Sequence, residues 1–301
     1  MTLVLGSIQL GLMYGLLAMS VYISFRVLNT PDLTAEGSFT LGVAVSAMVT
    51  LAGAPYLGLL MAFLCGMAAG ALTGVLQTKV GIHPILAGIL TMSGLYTVNL
   101  AIMGASANVT LIGKETLYQR LFVQLAPLGK DGVKLLVAAA LALLLFLALT
   151  WFFKTHLGLC IRATGNNEAM VRSSSINASA MKIVGLAVSN GCIALSGAVV
   201  AQYQGYADIS SGIGILVVGL ASVIIGEAFF GRRGVTLGLL SAIVGSLLYR
   251  VIVSLALSTN IFPTYFLKLI SAVIVGVALS LPAIREAHLR RRLRREGRRD
   301  A

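Results

Sequence analysis

Residues 135–153 read LLVAAALALLLFLALTWFF, an apolar stretch that contains no charged residue, glycine or proline. A helix needs roughly 20 apolar residues to cross the hydrocarbon core of a bilayer, so this stretch is long enough to span a membrane. Stretches of similar length recur along the whole chain. The sequence predicts nine membrane-spanning helices, at about residues 3–25, 35–53, 57–78, 84–104, 132–153, 181–206, 213–230, 235–256 and 264–282.

The composition excludes an ordinary soluble domain. Hydrophobic residues make up 58% of the chain and charged residues 11%, which leaves too few polar groups to cover a surface in water. A transmembrane β-barrel would show short alternating segments, whereas these stretches are continuous. We therefore predict an all-α integral membrane fold, with a transmembrane domain at residues 1–284 and a basic tail at 285–301.

The distribution of basic residues predicts which side of the membrane each loop faces. Eight of the 22 lysines and arginines lie in the tail after the last span, and polybasic segments of this kind bind anionic lipids on the cytoplasmic face. Counting the predicted spans backwards from this cytoplasmic tail places loops 26–34, 79–83, 154–180 and 231–234 in the cytoplasm and the amino terminus outside. We expect a multi-pass protein of the cell inner (plasma) membrane that contacts membrane lipid. We expect no nucleic-acid binding, because no recognition module accompanies the basic residues.

Two parts of the chain resemble each other. Residues 32–37 read DLTAEG and residues 208–212 read DISSG, and each segment precedes a short apolar run; further on, LGLL occurs at both 57–60 and 237–240. With the loops placed as above, the first copy begins its helix from the cytoplasmic side and the second from outside. The sequence therefore predicts an inverted repeat, which is typical of transporters whose two halves rock around a central site.

Polar residues mark both of these helix beginnings. Carboxylate and hydroxyl oxygens accept hydrogen bonds from the unpaired N–H groups of a first helical turn. Two interpretations stay open: the residues cap helices at the membrane surface, or the short helices begin inside the protein and line the path of a small polar or zwitterionic solute. The candidate path residues are Asp32, Thr34, Glu36, Ser38, Asp208, Ser210 and Ser211.

Other polar residues interrupt the predicted spans, among them Asn99, Asn190 and Glu227. A buried polar group needs a partner, so each must face another helix, a cavity or the aqueous boundary. For Glu227 we favour an ion pair with Arg232 and Arg233 over a functional role. Motifs for nucleotide binding, metal binding and hydrolysis are missing from the sequence, so we expect no catalytic residue, metal site or cofactor on this chain.

The predicted cytoplasmic interval 154–180 is longer and more polar than a connector between two spans needs to be. Gly165-Asn166-Asn167 separates two possible short helices, one ending near Thr164 and one beginning at Asn167. This pattern predicts a docking element for another protein.

Three parts of the chain carry a family resemblance: this loop, the segment 32–38 and the stretch LSGA at 195–198. Through them, residues 11–282 resemble the permease subunits of ATP-binding-cassette (ABC) importers for branched-chain amino acids and, more distantly, ribose-type sugars. Within that family the chain looks most like a branch whose binding proteins are associated with aromatic or other amino acids. The family's loop has the form Arg-Ala-x-Gly-x-Asn-x-x-Ala, followed by Gly-Ile. The matching residues here are Arg162, Ala163, Gly165, Asn166 or Asn167, and Ala169, while the final pair is Ser175-Ile176.

The resemblance implies a type II ABC importer-like fold and a non-enzymatic permease subunit that moves an amino acid by ATP-driven alternating access. It implies three partners: an ATP-binding-cassette ATPase that carries ATP and Mg²⁺, an extracytoplasmic solute-binding protein, and a second permease copy in a homodimer. The coupling helices that contact the ATPase would contain Arg162, Ala163, Gly165, Asn166, Asn167, Glu168, Ala169, Ser175 and Ile176.

Three other functions stay open at this point. An ion-coupled secondary transporter would use Asp32, Glu36, Asp208 or Glu227 as a proton or sodium site. An ABC permease of the same fold would carry a sugar or nucleoside instead of an amino acid. A membrane scaffold or lipid-binding protein would move no solute at all.

Overall fold

The computed structural model describes residues 2–124, 129–231 and 234–258, together with Leu269, Ala272, Val273 and Gly276. The predicted ninth span at 264–282 falls almost wholly outside these residues, and the basic tail lies outside them. The other eight predicted spans are all helical, with ends that differ by a few residues from the predicted ones. The all-α membrane fold is therefore confirmed, while the count of nine spans stays a prediction.

Eleven α-helices and one pair of strands make up the described part of the chain. Seven of these helices are long and apolar enough to cross a membrane, whereas α10 is shorter. In chain order the elements are α1 (Thr2–Tyr22), which continues into a π-helical turn (Ile23–Val27), α2 (Thr34–Leu51), α3 (Pro55–Thr78), α4 (Pro84–Ile102), β1 (Asn108–Thr110), α5 (Leu117–Gln124), α6 (Gly129–Phe152), α7 (His156–Asn166), α8 (Glu168–Ser173), α9 (Ala178–Gln204), β2 (Tyr206–Asp208), α10 (Ile215–Phe230) and α11 (Val235–Ser258).

α1 and α9 pack against each other and run in opposite directions. The hydroxyl of Ser189 donates to the carbonyl oxygen of Ser20 (2.8 Å). Further along α9, the hydroxyl of Ser196 donates to the carbonyl oxygen of Met13 (3.0 Å). Because higher numbers on α9 meet lower numbers on α1, the two helices are antiparallel.

α2 packs along α9 and points the same way. The Ser38 hydroxyl donates to Asn190 Oδ1 (2.7 Å), and the Ser46 hydroxyl, about two turns on, donates to the carbonyl oxygen of Ala198 (3.3 Å). α3 also approaches α9 closely, because a Cβ at Gly70 would overlap a carbonyl oxygen of α9. Small residues permit such close contact between helix backbones in a membrane, so α2, α3 and α9 form one tightly packed unit.

α10 packs along α1 and points in the opposite direction to α2. Gly219 lies against Val21, and nearer the end of α10 Glu227 forms an ion pair with Arg26 (2.6 Å). Since α1 is antiparallel to α9 and α2 is parallel to α9, α10 and α2 are antiparallel. Each short helix is followed by one of 24 residues, α3 or α11, with LGLL near its beginning. The fold therefore shows the predicted inverted repeat.

Residues 105–124 cover the end of the bundle where α9 stops. β1 pairs antiparallel with β2, and α5 is a short helix in the same interval. The N–H of Leu117 donates to Gln202 Oε1 (2.9 Å), and Arg120 donates to the carbonyl oxygen of Gly53 (2.8 Å). The sequence does not predict the strands, because three-residue strands are too short to give a periodic signal.

Candidate functional site

The beginnings of α2 and α10 meet in the middle of the bundle. The N–H of Gly214, directly before α10, donates to Glu36 Oε1 in the first turn of α2 (3.0 Å). Tyr14 shows how far inside the bundle this contact lies, because Tyr14 is halfway along α1. Its ring stacks on Phe39 of α2, with ring centroids 6.4 Å apart. It also lines a cavity together with Gly214. The two short helices therefore begin inside the protein, as the first part of the second interpretation expects, and the solute path stays a prediction.

Asp32 is fully buried and fixes the beginning of α2. Its carboxylate accepts hydrogen bonds from the N–H of Thr34 (2.9 Å) and from the side-chain amide of Asn190 (2.6 Å). The same Asn190 accepts a hydrogen bond from the hydroxyl of Ser38 (2.7 Å). Because these groups bind one another, the structure places Asp32, Thr34 and Ser38 in the packed support of α2.

Asp208 and Ser210 do not cap α10, contrary to the expectation that they mark its beginning. Asp208 ends β2, and its carboxylate accepts a hydrogen bond from the N–H of Ser210 in the following turn (2.8 Å). α10 begins only at Ile215, after Gly214 with a left-handed backbone (φ 82°) that suits glycine. The side chain that caps α10 is therefore Glu36, from the other half of the molecule.

A cavity of about 360 Å³ lies between α2, α4 and residues 209–213. Of the seven candidate path residues, Glu36 lines this cavity. Ser211 belongs to the adjoining turn, and its buried hydroxyl has no hydrogen-bond partner among the described residues. The polar wall of the cavity consists of Glu36, Thr40, Ser93, Tyr96 and Asn99.

An exposed polar face lies halfway along α4 and was missed by the sequence interpretation. It consists of Ser93, Tyr96 and Thr97, and Tyr96 is 55% exposed. Spacings of three and four residues put side chains on one face of a helix, so the signal was present in the sequence. Ser93, Tyr96 and Thr97 are the polar part of an exposed surface of α4 that also contains apolar side chains such as Leu90 and Val98.

The interval 154–180, named the docking interval, folds into two helices as predicted, but α7 continues through Gly165 to Asn166, so the break lies at Asn167 alone and not at Gly165-Asn166-Asn167. Asn167 lies between them and accepts a hydrogen bond from the N–H of Met170 (3.1 Å), which caps α8. Gly165 lies directly against the carbonyl oxygen of Val27 and leaves no room for a side chain. The predicted coupling residues that are exposed are Arg162, Ala163, Asn166, Asn167, Ala169 and Ser175, and those partly buried are Gly165, Glu168 and Ile176.

Glu168 ties the docking interval to α9. Its carboxylate accepts hydrogen bonds from Lys182 Nζ (2.6 Å) and from the guanidinium of Arg172 (2.8 Å). The hydrogen bond from Lys182 and then that from Arg172 hold the pKa of Glu168 below its ordinary value. The carboxylate is therefore ionised at neutral pH, where it stabilises the position of α8.

Ser175 occupies the place where the family pattern has glycine. Its backbone is left-handed (φ 59°), a conformation that costs energy for most residues but not for glycine. The turn before α9 thus keeps the conformation of a glycine turn although the residue is serine.

Glu227 pairs with Arg26, which the sequence interpretation did not suggest. The expected partners Arg232 and Arg233 lie outside the described residues, whereas Arg26 Nη2 lies 2.6 Å from Glu227 Oε2. α10 is consequently bound at both ends: its beginning contacts Glu36 in the first turn of α2, and its end contacts Arg26 in the π-helical turn after α1.

Two antiparallel helices that begin beside each other at a cavity with one polar wall, together with the exposed docking interval, define the chain as a transport permease. Among the described residues, no group of three or more histidines, cysteines, aspartates or glutamates is placed to hold a metal ion. The chain belongs to the family described as branched-chain amino acid transport system, permease component, whose model matches residues 3–278.

Comparison with known proteins finds several relatives. The chain is 38% identical to the tyrosine transport system permease protein of Clostridioides difficile over 265 residues, which are 88% of this chain and 86% of that protein. It is 29% identical to the D-allose transport system permease protein of Escherichia coli over 72% of this chain and 64% of that protein. It is 26% identical to the autoinducer 2 import system permease protein of Yersinia pestis over 82% of this chain and 67% of that protein. No solved structure matches the chain.

Proposed function

We propose that this permease is the membrane subunit of an ABC importer and that it forms, with a second copy of itself, the path of an amino acid. The observation that carries the proposal is the junction of α2 and α10, where two helices of opposite direction begin beside a cavity with one polar wall. In transporters built from inverted repeats, the solute site lies at such a junction, which can open alternately to either side.

The exposed polar face of α4 supports the homodimer. Ser93, Tyr96 and Thr97 are exposed in the middle of a membrane span, where helix hydroxyls can bond to a carbonyl of their own helix and also accept from water or solute. A second copy opposite this face, separated from it by an aqueous path, would give these hydroxyls water and solute as partners. We therefore place the dimer axis beside α4.

The docking interval is in direct contact with the segment that leads to the junction. Gly165 of α7 lies against Val27, and Leu28 packs on Gly185 of α9. From there the chain runs directly to Glu36, which holds the beginning of α10. A displacement of α7 by an ATPase would thus reach the junction through residues 27–36. The ATPase, which carries ATP and Mg²⁺, would in this way shift the permease between inward-open and outward-open states.

We place the docking interval in the cytoplasm, with the carboxyl-terminal tail on the same side against membrane lipid, in the inner membrane. The opposite end, formed by β1, β2 and α5, would then receive an extracytoplasmic solute-binding protein. Ile112 and Val123 support this assignment, because they are 86% and 79% exposed apolar side chains at that end, where a protein partner would cover them.

An amino acid is favoured as the solute by the similarity to the tyrosine transport system permease, which exceeds the similarity to the D-allose and autoinducer 2 permeases. These two relatives make a sugar-type solute the second candidate. An ion-coupled mechanism has less support, because Asp32 is bound to neighbouring N–H groups and Glu227 to Arg26.

The proposal is tested with the tagged permease, purified together with its native partners and reconstituted in proteoliposomes. We expect an ATPase and a solute-binding protein in the complex, and uptake of the solute that the latter binds, driven by ATP. Uptake should continue when ionophores dissipate all ion gradients at constant ATP. If uptake stopped under those conditions and did not depend on ATP, the permease would be an ion-coupled transporter.

Gly165→Ala tests the coupling contact in the same assay. The added methyl group forces α7 away from Val27, and overpacking of this kind costs about 1–3 kcal/mol, so solute uptake per ATP hydrolysed should fall about tenfold. Gly6→Ala is the matched control, since a Cβ at Gly6 meets no neighbour within 4 Å. Equal uptake per ATP in the two variants would contradict the proposed route.

A further inference from the structure

We propose that the cavity between the end of α6, the docking interval and the beginning of α11 binds the phosphate headgroup of an anionic phospholipid, with Lys154 and Arg162 as the cations that hold it. This inference goes beyond the proposed function, from which it takes the cytoplasmic position of the docking interval and the position of the dimer axis. The ligand is a component of the membrane and is not transported.

The cavity lies at the end of a membrane span. Its volume is about 380 Å³. Thr150 lines it from the last turn of α6, which ends at Phe152, and Lys154 lines it from just beyond that end. Thr236, in the first turn of α11, also lines it. Since α6 and α11 both span the membrane, the cavity lies where the hydrocarbon core gives way to the headgroups, which is the depth of lipid phosphates.

Lys154 and Arg162 give the cavity a positive charge. Both side chains are exposed, and neither forms an ion pair with another described residue. No aspartate or glutamate is among the described residues that line the cavity. A guanidinium binds a phosphate through two parallel hydrogen bonds, and an ammonium binds it as a point charge. The two side chains are therefore suited to an anion, and to a phosphate in particular.

Two threonine hydroxyls add hydrogen-bonding groups to the same cavity. Thr236 is exposed and can donate to a phosphate oxygen. The Thr150 hydroxyl is buried and has no hydrogen-bond partner in the described part of the chain, although buried polar atoms in proteins are nearly always paired. A phosphate presents several acceptor oxygens, so one group in the cavity can accept hydrogen bonds from the cations and from these hydroxyls together.

The surface beside the cavity is apolar, which identifies the anion as a lipid. Leu147 and Trp151, one turn apart on α6, are 56% and 72% exposed, and Leu237 on α11 is 40% exposed. Acyl chains would cover these side chains while the phosphate of the same molecule enters the cavity. Tryptophan is also enriched at the boundary between hydrocarbon and headgroups. A soluble ATPase would reach Lys154 and Arg162 but not the apolar side chains within the span.

This apolar surface belongs to the side of the permease that faces lipid. α6 packs against α1 and α11, whereas α4, beside which we place the dimer axis, packs against α2 and α3. A second permease copy at α4 would thus leave α6 in contact with lipid. A phospholipid is therefore the molecule that is always present at the cavity.

A bound headgroup would join three elements of the fold. Lys154 follows α6, Arg162 lies in α7 and Thr236 lies in α11. Because α7 is part of the docking interval, an anionic lipid in the cavity would hold the docking interval against the membrane spans.

The experiment uses Trp151 as the reporter. It is the single tryptophan of the chain and lies next to Thr150, and brominated acyl chains quench tryptophan fluorescence on contact. The full-length permease is reconstituted in vesicles of phosphatidylcholine that contain increasing fractions of either brominated phosphatidylglycerol or brominated phosphatidylcholine. The quenching curves give the relative binding of the two lipids beside Trp151. Phosphatidylglycerol should bind about tenfold more strongly than phosphatidylcholine.

Variants assign this preference to the two cations. Lys154→Gln and Arg162→Gln should each reduce the preference about fivefold, while Lys154→Arg, which keeps the charge, should retain it. Lys79→Gln is the matched control, because Lys79 is an exposed basic residue in another predicted cytoplasmic loop and does not line the cavity. It should leave the preference unchanged.

Three outcomes would overturn the lipid site. The first is equal quenching by the two brominated lipids, or a preference that is the same in every variant. The second is a preference that excess inorganic phosphate abolishes and chloride of equal ionic strength does not, which would assign the cavity to free phosphate. The third is an unchanged preference in Lys154→Gln together with lost binding of the ATPase, which would assign Lys154 to ATPase docking.

The quenching measurement needs neither an ATPase nor a solute. Equal quenching by the two lipids would therefore overturn the lipid site and leave the importer intact. Uptake that does not depend on ATP would overturn the importer, whichever lipid binds beside Trp151.

Discussion

The beginnings of α2 and α10 occupy equivalent places in the two halves of the repeat, but they are held in different ways. α2 begins with Asp32, a fully buried carboxylate that binds its own helix and the neighbouring α9. α10 begins with glycine and is capped by Glu36, from the other half of the chain. One helix beginning is thus held by its own aspartate and by α9, while the other is held by a side chain of α2. The comparison indicates that the beginning of α2 is held more firmly than the beginning of α10.

Equivalent aspartates give the strongest test of this difference. Asp32→Ala leaves the N–H of Thr34 buried without an acceptor and leaves the amide of Asn190 with its bond to Leu186 alone, so the free energy of unfolding should fall by about 2–3 kcal/mol. Asp208→Ala removes one local hydrogen bond in a turn and should lower it by less than about 1 kcal/mol. Denaturant unfolding in detergent measures both. Similar losses in the two variants would show that the helix beginnings are equally fixed.

Glu36→Ala removes the cap of α10 and leaves that of α2 in place. The N–H of Gly214 loses its acceptor, and the lost hydrogen bond of about 1 kcal/mol or slightly more should speed amide exchange at residues 214–216 about tenfold. Hydrogen exchange read by mass spectrometry should show no change at Thr34. Glu115→Ala, at an exposed ion pair with Arg120, serves as the control; faster exchange at both helix beginnings after Glu36→Ala would refute the distinction.

Arg26→Gln tests the other end of α10. The ion pair with Glu227 is partly exposed, with side chains 33% and 10% exposed, and pairs of this kind contribute about 1 kcal/mol or less. Hydrogen exchange near residues 227–230 should rise a few-fold without faster exchange in α2. Lys79→Gln changes an exposed basic residue elsewhere and should leave α10 unaffected. An unchanged exchange rate in Arg26→Gln would show that this ion pair does not hold the end of α10.

The pH dependence of the docking interval gives the smallest effect. Because the pKa of Glu168 is lowered in the folded protein, its stabilisation is present above the ordinary carboxyl pKa and is lost as pH falls through the lowered value. Protection of α8 from proteolysis should therefore decrease at acidic pH, by less than about 1 kcal/mol. Glu168→Gln should lower protection at neutral pH and remove that pH dependence. If the variant kept the same pH dependence, another group would be responsible.

Features that depend on near neighbours in the chain could be predicted from the sequence. The eight described spans follow from apolar length, and the division of the docking interval into α7 and α8 follows from Gly165-Asn166-Asn167, although the break lies at Asn167 alone. The direction of the repeat followed from the placement of charge.

Contacts between distant parts of the chain could not be predicted in this way. The hydrogen bond between Glu36 and Gly214 joins residues 178 positions apart, and no local pattern records it. Asp208 resembles a helix cap in sequence but ends a strand, because the following turn carries the chain to Gly214 before α10 begins. The polar residues around Tyr96 have the spacing of one helix face. A few hydroxyl groups within an apolar span are nevertheless a weak signal of a functional surface, so the sequence did not predict this face.

The packing of α2 also has a consequence for biosynthesis. α2 is the least apolar of the seven spanning helices, and Asp32 directly before it finds its partner in Asn190, which is synthesised 158 residues later. At ribosomal rates of roughly 5–20 residues per second, this delay is about 10 to 30 s. During that time a carboxyl group that the finished protein buries must remain near water or beside the insertion machinery. α2 can therefore reach its final packed position only after α9 has entered the membrane.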